Sequence, residues 1–180
     1  MKNNPIVTGL IGMPVVHSIG QIVFNRIYEA EGINAVYIAI EVMKGNLENF
    51  VRKSAFMKGY NVTIPHKVSI MDLLDHIDAT ASRVGSVNLV VNYEGFNTDY
   101  SGFDLTVERN GIDFNGKKIL IAGTGGIFRT VYRYIRENSQ NAEITIKSRD
   151  PQSSRMKIAG IIEGEDIIKK GNGCHDILIN

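Results

Sequence analysis

The sequence predicts an α/β protein: an N-terminal α/β domain with a twisted, mainly parallel sheet, then a second, smaller α/β unit. Three observations carry this. Short β-like runs alternate with segments of helical period. A strand–glycine-loop–helix pattern opens the last third of the chain. The composition is that of an ordinary globular protein, with 43% hydrophobic and 22% charged residues among 180.

Residues 6–11 (IVTGLI) read as the first strand, followed by Ile19, Ile22, Val23, Ile27 and Ala30, which share one helical face. A second strand, residues 35–40, leads to a short helix around Leu47, Phe50 and Val51. Residues 60–64 form a third strand, stopped by Pro65. Ile70, Leu73, Leu74, Ile77, Ala81 and Val84 predict one continuous amphipathic helix, because their spacing keeps them on a single stripe. Residues 86–91 read as a strand, with a turn at Tyr93-Glu94-Gly95, and a helix containing Leu105 and Val107 follows. Asn110-Gly111 and Asn115-Gly116 are turn signals. Beyond them come a strand at 118–122, a glycine loop, a helix through Ile127, Phe128, Val131 and Ile135, a strand at 142–147, a helix through Met156 and Ala159, and a last strand at 176–180. The domains are expected at 1–100 and 101–180, the second being a β-α-β-α-β unit of three strands, a partial Rossmann dinucleotide-binding domain. The six methionines read as core filler.

Composition excludes several classes. A formal charge of +1, divided as −1 over residues 1–100 and +2 over the rest, lacks the basic stripe that nucleic-acid backbones need. No apolar run approaches the ~18 residues of a membrane span. The opening residues make a poor signal peptide. A single cysteine, Cys174, excludes an internal disulfide framework, and the expected location is the cytoplasm. His17, His66, His76 and His175 show no metal-ligand spacing, so no metal is expected.

The loop Gly123-Thr124-Gly125-Gly126-Ile127-Phe128-Arg129 lies where a phosphate-binding turn belongs. Glycines let the backbone turn tightly and approach a pyrophosphate, which rests on the N–H groups of the helix start. Arg129 replaces the third fingerprint glycine, and no Gly-Lys-Ser/Thr follows, so a Walker loop is excluded. The bland alternative is a glycine-rich turn without a ligand. Where an NAD site usually places an acid, this chain has Lys147-Ser148-Arg149. A guanidinium offers paired donors to a 2′-phosphate, so NADP is the expected cofactor; Asp150 would oppose it if turned inward.

In the first domain four polar stations fall at strand ends or turns: His17-Ser18, residues 61–67, Val87-Asn88 and Asn97-Thr98-Asp99. Together they suit a small polyhydroxy acid. At these residues the chain resembles the shikimate dehydrogenase family. Gly59-Tyr60-Asn61-Val62-Thr63-Ile64-Pro65-His66-Lys67 is similar to the family's substrate-binding strand and turn. Gly85-Ser86-Val87-Asn88, Gly95-Phe96-Asn97-Thr98-Asp99, the segment from Gly12 to Ser18 and the glycine loop follow in the family's order.

The resemblance implies NADPH-dependent reduction of 3-dehydroshikimate to shikimate, on the route to chorismate and aromatic amino acids. It implies Lys67 as catalytic acid/base with Asp99 beside it. Ser18, Thr63 and Asn88 would bind substrate, with Gly20 at the family's second serine position. Gly123, Thr124, Gly125, Gly126 and Ile127 would carry the pyrophosphate, and Ser148 and Arg149 the 2′-phosphate. A lysine free in water titrates near ~10.4, so its ammonium can protonate the alkoxide that hydride delivery leaves. An ordinary surface ion pair is the alternative reading of Lys67 and Asp99. The sequence departs from the pattern at Gly20-Gln21, where Gln21 could stand in for the lost hydroxyl, at Phe24-Asn25, and at Leu89, where a threonine is usual. Those departures keep open a dehydrogenase-like binding protein, or a dehydrogenase for a related acid such as quinate. The family continues past Asn180, so the chain is expected to be a fragment, or a monomer or homodimer with a partner over an apolar edge at 177–179.

Overall fold

The computed structural model describes residues 4–162, 167–169 and 173–180. The chain divides into two compact units, Met1–Thr98 and Asp99–Asn180, each with its own hydrophobic core.

The first unit runs β1 (Ile6–Gly12), α1 (Gly20–Ala30), β2 (Ala35–Glu41), α2 (Leu47–Lys53), β3 (Gly59–Val62), β4 (His76–Ile77), α3 (Ala79–Val84), β5 (Leu89–Val91) and β6 (Glu94–Phe96). Its six-stranded sheet has the order β2-β1-β3-β5-β6-β4. Strands β1, β2 and β3 are parallel, β5 runs antiparallel to both neighbours, and β4 is parallel to β6. The reversal of β5 matters for the site. It brings the start of β5 and the end of β6 to the same edge as the carboxyl ends of β1, β2 and β3. Ile11, Val62, Val87 and Val90 fill the core beneath that edge, each contributing about 1.5–3 kcal/mol by burial.

Two expected elements differ in this unit. The single helix over 70–84 is instead a 3₁₀ turn (Met71–Leu73), the short strand β4 and the six-residue α3. The cause is Asp78, whose carboxylate accepts from Thr80 N (3.0 Å) and Ala81 N (2.8 Å) and so starts a new helix. The apolar residues still face inward, Ile70 and Ala81 with no exposure at all. The turn after β5 lies one residue earlier, at Asn92 and Tyr93, both with positive φ (50° and 63°). Helix α1 forms as predicted, yet none of its side chains is buried. Its stripe of Ile19, Ile22, Val23 and Ile27 faces outward, because α1 meets the edge strand β2 through polar groups. Asn25 Nδ2 donates to Tyr37 O (2.9 Å) and its Oδ1 accepts from Tyr37 N (2.8 Å), while Gln21 Oε1 accepts from Ala39 N (3.2 Å). The methionine expectation also fails: Met57 is buried, but Met13, Met43 and Met156 are exposed.

The second unit comprises α4 (Thr98–Arg109), whose body belongs here, β7 (Lys118–Ala122), α5 (Phe128–Asn138), β8 (Glu143–Lys147), α6 (Pro151–Ile158), β9 (Ile167–Lys169) and β10 (Ile177–Ile179). The sheet is parallel throughout, in the order β10-β7-β8-β9. It therefore has four strands rather than the three expected, β9 being the addition. Counted from β7, the order is 4-1-2-3, the first half of the doubly wound arrangement. Its core joins Ile119, Ile121, Ile144 and Ile146 of the sheet to Phe128, Val131, Tyr132 and Ile135 of α5. That helix buries one whole face, as its 3.6-residue period demands. Strand β10 is an edge, with Leu178 exposed.

Candidate active site

At the carboxyl edge of the first sheet, backbone hydrogen bonds bring the polar stations together. Thr63 N donates to Ile11 O (2.9 Å), and Met13 N to Ile64 O (2.9 Å), which ties the turn after β3 to the end of β1. The approach is so close that a Cβ on Gly12 would lie 2.4 Å from Thr63 Cγ2 and 2.9 Å from Ile64 O. Glycine is required there. Lys67, half-buried, follows the same turn, and its carbonyl accepts from Val87 N (2.7 Å). Ser18 is held by Ser18 N to Val15 O (3.0 Å), and its hydroxyl accepts from Gly20 N (3.2 Å). Glu41 steadies the same segment by accepting from Val15 N (3.2 Å).

Asn88 is buried, and its Oδ1 accepts from Thr98 N (2.8 Å) while its Nδ2 donates to Thr98 Oγ1 (2.9 Å). Asn97 Nδ2 donates to Ser86 O (2.8 Å) and Ser86 Oγ (3.0 Å). These bonds fix the chain immediately before Asp99, the acid of the first turn of α4 and the first residue of the second unit.

Tyr37 was not singled out by the sequence. Its hydroxyl donates to Asn61 Oδ1 (2.8 Å), its ring stacks on Phe24 (centroids 4.6 Å apart), and burial raises its pKa to about 12, so it stays a neutral phenol. A Cβ on Gly20 would lie 3.7 Å from this hydroxyl. Gln21, which could have replaced the missing serine, is instead bonded to β2.

In the second unit a cleft of about 940 Å³ opens at the carboxyl ends of β7, β8 and β10. This is where a doubly wound sheet reverses direction and binds nucleotides. Gly123, Thr124, Gly125, Ser148 and Arg149 line it, whereas Gly126 and Ile127 carry the loop on into α5. Gly123 has φ +104°, and a Cβ on Gly123 or Gly125 would point into open space within the cleft. Three hydroxyls form a connected floor: Ser148 Oγ to Ser154 Oγ is 2.6 Å, and Ser154 Oγ to Thr124 Oγ1 is 3.1 Å. Asp150 also lines the cleft, where its Oδ1 accepts from Ser153 N (3.1 Å) as the N-cap of α6.

Two further cations line the cleft, Lys147 and Lys157, and the sequence reading gave neither a role. Lys157 was findable. It stands four residues after Ser153, and helical side chains lean toward the helix N-terminus, here toward Arg149. Arg129, partly buried behind the loop, has its pKa lowered by desolvation. Open space over glycines, a cluster of cations and donor hydroxyls together fit a phosphorylated nucleotide such as NADP. Among the described residues, no three His, Cys, Asp or Glu side chains converge as a metal site.

Comparison with known proteins gives the family. The family model of the shikimate dehydrogenase substrate binding domain matches residues 10–90. A shikimate dehydrogenase (NADP(+)) of Thermoplasma acidophilum is 44% identical over 186 aligned positions, covering 100% of this chain and 67% of that protein. The chain belongs to the shikimate dehydrogenase family. Among solved structures, a chorismate mutase/shikimate 5-dehydrogenase fusion protein from Clostridium acetobutylicum matches with TM-score 0.76 and 30% identity, over 97% of this chain and 62% of that one. A shikimate dehydrogenase in complex with NADP+ matches with TM-score 0.73 and 34% identity, over 87% and 56%. The chain thus spans between about half and two thirds of these relatives' length. The mixed α/β sheet of the first unit and the Rossmann-like second unit are the family's two-domain fold.

Proposed function

We propose that the protein is an NADP-dependent shikimate dehydrogenase that reduces 3-dehydroshikimate to shikimate, for chorismate and aromatic amino acid biosynthesis. The observation that carries this reading is the convergence of Ser18, Thr63, Lys67 and Asn88 on one sheet edge, in a chain of this family. NADPH, when bound by Gly123, Thr124, Gly125, Ser148 and Arg149, supplies the hydride that adds to the ketone carbon. Lys67 donates a proton from its Nζ to the carbonyl oxygen as that oxygen becomes an alkoxide, and is reprotonated from solvent. In the reverse direction neutral Lys67 takes the hydroxyl proton. Asp99 orients the substrate hydroxyl. The hydroxyls of Ser18 and Thr63 hold the acid's polar groups, and Gly20 leaves room beside them. Asn88, bonded to Thr98, binds the substrate and fixes the approach to Asp99.

Among the described residues no helix is long and apolar enough to cross a membrane. We place the protein in the cytoplasm as a monomer or homodimer, with β10 the edge that a second chain would pair with.

Shikimate-dependent reduction of NADP+, followed by NADPH absorbance, tests the reading. Lys67→Ala is expected to lower kcat by about 10²–10⁴-fold, the usual worth of a general acid/base, while NADP+ still binds. Turnover in the variant equal to that of the parent would remove Lys67 from the chemistry.

A further inference from the structure

His66 adjoins the proposed acid/base lysine but has no part in the chemistry above. It is fully buried, and its Nε2 lies 2.6 Å from Val42 O. A carbonyl oxygen only accepts, so Nε2 carries the proton and Nδ1 is the bare acceptor. Nδ1 is also buried and has no protein partner. An orphaned acceptor costs about what one neutral hydrogen bond contributes. Histidine therefore adds little stability here over an apolar ring. What it adds is a fixed connection.

That connection spans the sheet. Val42 directly follows β2, and its own N–H donates to Gly12 O (3.0 Å) at the end of β1. On the opposite flank the carbonyl of Lys67 accepts from Val87 N (2.7 Å), two residues before β5. In the strand order β2-β1-β3-β5, the turn after β3 is thus fastened on both sides, by the His66 ring toward β2 and by the Lys67 carbonyl toward β5. A further bond, His66 N to Thr63 O (2.9 Å), closes the turn on itself. We propose that His66 is a positioning residue: its Nε2–H···O bond to Val42 locks the backbone of Lys67 so that the ammonium is presented at the substrate edge. This rests on the reading of Lys67 as the acid/base.

The test uses the full chain with His66→Leu, which deletes the donor, and His66→Gln, whose side-chain amide can restore it. In His66→Leu the Val87 amide is expected to exchange its hydrogen about tenfold faster, with amides of β7 unchanged. In the same variant kcat for shikimate oxidation falls about tenfold, the rate counterpart of that loosening, while NADP+ affinity holds. His66→Gln is expected to recover most of both. Unchanged exchange at Val87, or unchanged kcat despite faster exchange, overturns the positioning role. Loss of protection throughout the first unit in both variants also overturns it, by making His66 a folding residue. A parent that binds NADP+ but never turns over shikimate sinks the reading of Lys67 instead, and the exchange data still report whether the ring holds the turn.

Discussion

Gly20 sits between two hydroxyls. An added Cβ would lie 3.2 Å from Ser18 Oγ, which can rotate away, and 3.7 Å from Tyr37 Oη, and it meets no backbone. The position therefore accepts a small side chain. Tyr37 cannot serve as an anion there, since burial keeps its phenol protonated up to about pH 12, and its hydrogen is already given to Asn61. Gly20→Ser adds one rotatable donor next to Ser18, at the end of the cluster suited to a carboxylate. A hydrogen bond to a charged group is worth about 1.5–3 kcal/mol. Shikimate affinity, measured by titration calorimetry, is expected to rise about tenfold or more in Gly20→Ser, with NADP+ affinity unchanged. Weaker shikimate binding in a folded variant would mean that the carboxylate lies elsewhere.

Helix α1 illustrates what an element's sequence pattern does and does not reveal. Its apolar period correctly specified a helix, but what holds it to the protein is a set of polar bonds beside the Phe24 ring, not the isoleucine stripe. Asn25 acts as a stand-in strand, satisfying both backbone groups of Tyr37 on the outer side of edge strand β2. Such pairing caps the open ladder that edge strands otherwise present. Asn25→Ala is expected to destabilise the first unit by about 1–3 kcal/mol, because it orphans part-buried backbone groups; a shifted denaturant midpoint reads this out, and an unmoved one refutes it. The same limit explains the misread helix over 70–84. Apolar residues three and four apart arise whenever consecutive short elements each bury one side, and only the capping carboxylate of Asp78 decides that they break. Strands β1, β2, β7 and β8 were legible because each is a short apolar run rich in β-branched residues. Of the site, the glycine loop and the Asn61–Lys67 turn were visible as local patterns. The role of Tyr37 was not, since it depends on a partner distant in sequence, Asn61.

Each unit has its own core, one built around Ile11, Val62 and Val90, the other around Ile119, Val131 and Ile146. Ligands assigned to different units should therefore stabilise different unfolding transitions. Binding to the native state alone adds RT ln(1 + [L]/Kd), about 2.7 kcal/mol at a hundredfold excess over Kd. Saturating NADP+ is expected to raise the transition of the second unit, identified by hydrogen exchange in β7 and β8, and shikimate that of the first. The cleft cations make the prediction sharper. Arg149→Ala and Lys157→Ala each remove a positive charge that lines the cleft, and on our proposal these charges hold the 2′-phosphate rather than the pyrophosphate. Both variants should shrink the stabilisation by NADP+ while leaving that by NAD+ intact. Equal loss with the two nucleotides would mean that these side chains hold the shared pyrophosphate, and the choice between the cofactors would then rest on the hydroxyls of Ser148, Ser154 and Thr124.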